Sequence, residues 1–169
     1  NKTACIVVVN CETDFVAKND DFVAFTKSIL TVALNEKPAT LDDLKALKVN
    51  GEVIADLIID QMGKIGEKIE LSYYEAISTE QSFAYIHPGN KLATIVGFNQ
   101  TVSDNQIGRD IAMQIAAMNP VSIDKNDCPS DIIEKEIEIG KEQAREEGKP
   151  EVAHDLGGLQ HDVLPLCHP

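Results

Sequence analysis

Between Ala4 and Cys11 the chain reads Ala-Cys-Ile-Val-Val-Val-Asn-Cys, with Ile6, Val7, Val8 and Val9 in an unbroken β-branched run. Side chains branched at Cβ lose rotamer freedom in a helix and pack well on a pleated surface. The run also lacks charge, which predicts a strand buried on both faces. Such a strand needs a pairing partner and an apolar layer to cover it, so the rest of the chain has to supply both. A chain that opens at Asn1 almost directly into a core strand also leads to the expectation of further sequence upstream.

The segments that follow meet this demand. Thr13 or Asp14 can cap a helix start, and Phe22, Phe25, Ile29 and Ala33 recur at helical spacing up to Lys37-Pro38. That stripe predicts a helix packed on the first strand. Leu41 to Leu47 reads as a short helix broken by Asn50-Gly51, and Ile54, Leu57, Ile58, Gln61 and Ile65 form a second stripe ended by Gly63 and Gly66. Lys68 to Ile77 then alternates as a strand with Ile69, Leu71 and Tyr73 on one face.

A second group repeats the theme. Ser82 to His87 and Lys91 to Phe98, joined by Pro88-Gly89-Asn90, predict a hairpin in which Leu92, Thr94, Val96 and Phe98 share a face. Ser103 and Gln106 have capping-box spacing before a helix whose stripe is Ile107, Ile111, Ile115 and Met118. From Asp131 the chain becomes highly charged, with a thin seam of Ile133, Ile137 and Ala144, as in a helix that projects or pairs with another helix. After Glu151 no periodicity is sustained. The fold class expected is α+β, divided as 1–78 (first subdomain), 79–128 (second, incomplete subdomain), 129–150 (protruding charged helix) and 151–169 (unassigned).

Charge narrows the partners. Against 15 Lys plus Arg stand 28 Asp plus Glu, a formal charge of −13 in 169 residues, so nucleic acid and anionic membrane surfaces are repelled and a neutral or basic protein is favoured. No apolar stretch nears the roughly 20 residues that span a bilayer, and the N-terminus carries no basic leader, which together suggest a cytoplasmic protein. Cys5, Cys11, Cys128 and Cys167 form no Cys-x-x-Cys pair, so no metal site is expected. Cys5 and Cys11 lie about 20 Å apart along one strand, beyond disulfide reach, and free thiols fit a reducing compartment.

The segment Asn-Cys-Glu-Thr-Asp-Phe-Val-Ala-Lys-Asn-Asp-Asp-Phe, Asn10 to Phe22, resembles the signature of the bacterial translation elongation factor Ts family. Three further segments resemble the same family in order: Met-Gly-Lys-Ile-Gly-Glu-Lys-Ile-Glu-Leu from Met62, Tyr-Ile-His-Pro-Gly-Asn from Tyr85, and Ile-Ala-Met-Gln-Ile-Ala-Ala-Met-Asn-Pro from Ile111. Glu134 to Glu151 looks like the first arm of the family's protruding helical hairpin. The resemblance implies two related antiparallel sheets backed by helices, and a guanine-nucleotide exchange factor that binds elongation factor Tu. It implies no cofactor of the chain's own, GDP, GTP and magnesium being held by Tu, and it leaves a homodimer open. By motif matching, Thr13, Asp14 and Phe15 would meet the nucleotide domain of Tu, with the Phe15 ring wedging near the magnesium site, and Ile65, Gly66 and His87 would lie on the same surface. The family's small N-terminal helical domain has no counterpart in this sequence, and the tail after Glu151 resembles neither the returning arm nor the ending of the second subdomain.

Taken singly, these residues also admit plainer readings. Phe15 could be core and Asp14 merely a cap. His87 before Pro-Gly is more readily a surface or hydrogen-bonding residue than a general base, and Cys11 more readily a buried inert thiol than a nucleophile. A hydrolase or transferase using Cys11, His87 or a carboxylate is the competing class, and it predicts turnover without Tu. The chain contains neither a G-x-x-x-x-G-K-[ST] nor a G-x-G-x-x-G phosphate loop.

Overall fold

A computed structural model describes residues 2–124, 126–146 and 148. The chain divides into two compact units, residues 1–116 and 117–169. The first unit opens with β1 (Thr3–Asn10), α1 (Asp14–Ala17), α2 (Asp20–Glu36), α3 (Leu41–Ala46), β2 (Lys48–Val49), β3 (Glu52–Val53), α4 (Ile54–Ile65) and β4 (Glu70–Ser78). It continues with β5 (Gln81–Ile86), β6 (Ala93–Phe98) and α5 (Asn105–Met118), of which Ala117 and Met118 fall in the second unit. The fold is α+β, and among the described residues the sheets are the two-stranded antiparallel pairs β1–β4, β2–β3 and β5–β6.

The main core lies between the β1–β4 ladder and helices α2, α3 and α4. Phe22, Ile29 and Ala33 of α2 are buried with Leu44, Ile54, Ile58, Ile69 and Leu71, and Cys5, Val7 and Val9 of the first strand, with Cys11 just beyond it, pack on the same cluster. The stripes of α2 and α4 therefore do what their spacing predicts. Asn19 caps α2 by accepting from the Asp21 and Phe22 amides at 2.9 and 3.1 Å, which separates α2 from the short α1. Thr40 and Asp43 close a reciprocal capping box at the start of α3. Asn50-Gly51 does more than break a helix, since it turns the chain through the small β2–β3 ladder.

Four expectations need correction. β1 is not sealed on both faces: Cys5 is buried, but Ala4, Ile6, Val7, Val8 and Val9 are only half-buried, the helical core being packed on the face that carries Cys5, Val7 and Val9. Tyr73 does not share a face with Ile69 and Leu71. Val8 pairs with Tyr73 and Val9 with Leu71, so Ser72 is an extra residue that reverses the alternation. Tyr73 is 49% exposed as a result, while Tyr74 turns into the core and donates its hydroxyl proton to the Pro38 carbonyl at 3.0 Å. Gly63 lies inside α4, and Gly66 alone ends it.

The fourth correction concerns α5. Its buried residues are Gly108 and Ala112, whereas Ile107, Ile111 and Met118 of the expected stripe are exposed and Ile115 is half-buried. A Cβ on Gly108 would collide with the Phe83 ring, and Phe83 is held edge-to-face against Phe98 at 5.6 Å. An aromatic ring fills the space at which the helix points its smallest residues. The helix start is fixed by Asp104, whose Oδ1 accepts from the Gln106 amide at 2.8 Å, in place of the expected Ser103–Gln106 box. Gln81 of β5 ties this end down, accepting from Val102 N at 2.6 Å and donating to Asn105 at 3.3 Å.

In the second unit, α6 (Ser130–Glu146) carries the charged sequence and has no buried residue, its seam of Ile133, Ile137 and Ala144 being half-buried. Cys128 before it is buried. The expected tail 151–169, with Cys167, lies outside the described residues. Among those described, no helix is long and apolar enough to cross a membrane.

Candidate functional site

Where β1 ends at Asn10, the chain turns outward and starts a helix of four residues. Thr13 is its N-cap, with extended backbone and a hydroxyl that accepts from the Val16 amide at 3.5 Å. Asp14 follows in the first turn, where a carboxylate suits the positive end of the helix. Phe15 points away from the protein and is 86% exposed, so the reading in which its ring belongs to the core is ruled out. Val16, one residue on, is the side chain that packs against the core.

A bare aromatic ring on so short a helix needs holding from outside, and two groups do so. Gly66 closes α4 in the left-handed region at φ 78°, which a residue with a Cβ adopts only with strain. That turn delivers Glu67 to the Thr13 segment. Its Oε2 accepts from the backbone amides of Glu12 at 3.1 Å and Thr13 at 3.0 Å, and its Oε1 accepts from the Thr13 hydroxyl at 2.5 Å. From the other side, the Lys91 ammonium meets Asp14 Oδ1 at 2.7 Å. The hydrogen bond and charge of Lys91 hold the Asp14 carboxyl below the usual carboxylate range, with Lys18 adding to the effect.

Three segments far apart in sequence thus meet at one place. Of the expected residues, Thr13, Asp14, Phe15, Gly66 and His87 are exposed, and Ile65 is half-buried with its side chain against the core. Gly66 has open space where a Cβ would sit. His87 stands at the hairpin turn that also holds Lys91. Its Nδ1 lies 2.9 Å from the Tyr85 hydroxyl, and its backbone amide donates to the Leu92 carbonyl at 2.8 Å. Glu67 and Lys91 were missed from sequence. The available signal was position, since Glu67 directly follows the helix-ending Gly66 and Lys91 the Pro88-Gly89-Asn90 turn.

The chemistry around Cys11 points away from nucleophilic catalysis. Burial pushes its thiol up, the nearby Glu67 carboxylate pushes it further, and the thiol donates to the Thr13 carbonyl at 3.4 Å. A protonated thiol spent on a loop carbonyl helps to shape the turn.

The site is thus an α+β scaffold presenting one aromatic ring and one acidic group from a segment fastened on both flanks. Residues 12–155 match the protein family described as elongation factor TS. The chain is 53% identical over 152 residues to elongation factor Ts of Azobacteroides pseudotrichonymphae, covering 90% of this chain and 56% of that protein. With elongation factor Ts of Porphyromonas gingivalis it is 52% identical over 149 residues, or 88% and 54% of the two chains. With that of Burkholderia mallei it is 40% identical over 146 residues, or 86% and 49%. The chain belongs to the elongation factor Ts family, and it spans about half the length of the curated relatives it matches.

Proposed function

We propose that this chain binds elongation factor Tu through the surface around Thr13, Asp14 and Phe15 and promotes release of its GDP, without covalent chemistry of its own. The observation that carries the reading is the Phe15 ring, 86% exposed at the start of a fastened helix. An aromatic side chain left in water gains by burial in a partner, and a rigid mount lowers the entropy lost when it docks. Ile65, Gly66 and His87 widen the contact, and the nucleotide and magnesium belong to Tu.

Magnitudes argue for a shared effort. By linkage, a factor that binds nucleotide-free Tu more tightly weakens nucleotide binding by the same ratio. A thousandfold effect corresponds to about 4 kcal/mol. Burying one Phe supplies roughly 1.5–3 kcal/mol, of which only the part that differs between the two states of Tu counts. Asp14, Ile65, Gly66 and His87 contribute the remainder.

The test is release of fluorescent GDP from purified Tu with and without this chain. Acceleration that drops about tenfold or more in Phe15→Ala, with unchanged thermal stability, is the expected result. Equal acceleration by both forms would remove the reading's main support. A second reading, an inert Tu-binding fragment, draws on the half-length coverage of the relatives. It predicts binding to Tu with no change in GDP release.

A further inference from the structure

The Thr13–Phe15 segment has little means of holding its own shape. Helix α1 has four residues and buries none of them, and so short a helix does not persist by its own hydrogen bonds. Lys91 pairs with the Asp14 side chain, but what reaches the backbone is one carboxylate. Glu67 collects the amide protons of two consecutive residues, Glu12 and Thr13, on Oε2, and the Thr13 hydroxyl proton on Oε1. Hydrogen bonds to an ionised acceptor are stronger than neutral ones.

Resting on the docking reading above, we propose that Glu67 is a positioning residue, which sets the direction of the Phe15 ring by locking the backbone at Glu12 and Thr13. Those two residues are the joint between the end of β1 and the start of α1. The Thr13 hydroxyl passes the constraint on, because it donates to Glu67 and also accepts from the Val16 amide in the first turn. Glu67 is itself anchored from behind. Gly66 fixes the chain direction at the end of α4, and Ile69, soon after it, is buried in the core. The ring is therefore coupled to the α4–β4 connection through a carboxylate that need not touch the partner. Without it the segment would sample more directions, and docking would have to order it again.

The experiment uses the full chain carrying Glu67→Ala or Glu67→Gln, beside Phe15→Ala. Amide hydrogen exchange is read at Glu12 and Thr13, and association with Tu and release of its fluorescent GDP are read in parallel. Glu67→Ala is expected to speed exchange at those two amides and to slow association with Tu, each about tenfold, equivalent to ~1.4 kcal/mol. Amides of Val7, Val9 and Leu71 should be unaffected. Glu67→Gln keeps the shape and one acceptor oxygen, so it should fall between wild type and Glu67→Ala, and it serves as the reporter if the alanine form folds poorly. Unchanged exchange at Glu12 and Thr13 would overturn the proposal. So would loosened amides with wild-type association and GDP release, provided Phe15→Ala is impaired, and in that case the docking reading survives. If Phe15→Ala also behaves as wild type, the docking reading fails and the positioning role falls with it.

Discussion

Two ladders in the first unit are each backed by a helix, and they bury opposite kinds of residue. Against β1–β4, helix α2 turns Phe22 and Ile29 inward. Against β5–β6, helix α5 turns Gly108 and Ala112 inward and leaves Ile107 47% exposed. Sequence periodicity looks alike in the two helices. What differs is the surface they meet: a pleated strand of half-buried valines in one case, and the Phe83 ring in the other. Apolar spacing thus identifies a helix, whereas the bulk of the facing element decides which side of it goes in.

Substitutions can break or sharpen this contrast. The largest effect on stability should come from Ile29→Ala, a fully buried side chain in the first core, at about 2–5 kcal/mol by denaturant unfolding. Next comes Gly108→Val, which drives two methyl groups toward Phe83 and should cost about 1–3 kcal/mol. If Gly108→Val proved neutral, the close approach of α5 to β5 would lose its significance. Ile107→Ala should change stability by less than about 0.5 kcal/mol, as expected for an exposed position. A loss as large as that of Ile29→Ala would place the stripe inside after all.

The smallest effect concerns Asp14. Its carboxyl is held below the usual range by Lys91 in the folded chain, so the folded state binds that proton less readily than the unfolded one. The pair's contribution is present above the ordinary carboxylate value and fades as pH falls through the lower folded one. In Lys91→Ala the Asp14 titration, followed by NMR, should move back up toward the ordinary value. Raising ionic strength should move it the same way, because both groups are exposed to solvent.

Much of the stretch from β1 to α4 was legible because its signals are local. A β-branched run and the stripes of α2 and α4 each act within a few residues, whereas the caps at Asn19 and Thr40 were not read from the sequence. The misreadings share a different origin. Ser72 flips the phase of β4 through a bulge that exists only when β1 pairs with it, and the inward face of α5 is chosen by Phe83, about 25 residues upstream. For the candidate site, the motif match singled out Thr13, Asp14 and Phe15, and the exposure of the Phe15 ring removes the alternative in which it belongs to the core. Glu67 and Lys91 were illegible because their partners lie on other segments: more than 50 residues separate Glu67 from Thr13 in the chain.

The β1–β4 ladder joins Thr3 to Ser78 and Asn10 to Glu70. During synthesis the valine-rich strand is made before its complement, which arrives only after α2, α3 and α4. A contact of such high order is entropically slow to close, and helices form long before it does. Of the helices made in that interval, α2 is the one that packs most closely on β1 in the folded chain, so it is the element placed to cover those valines before β4 pairs with them.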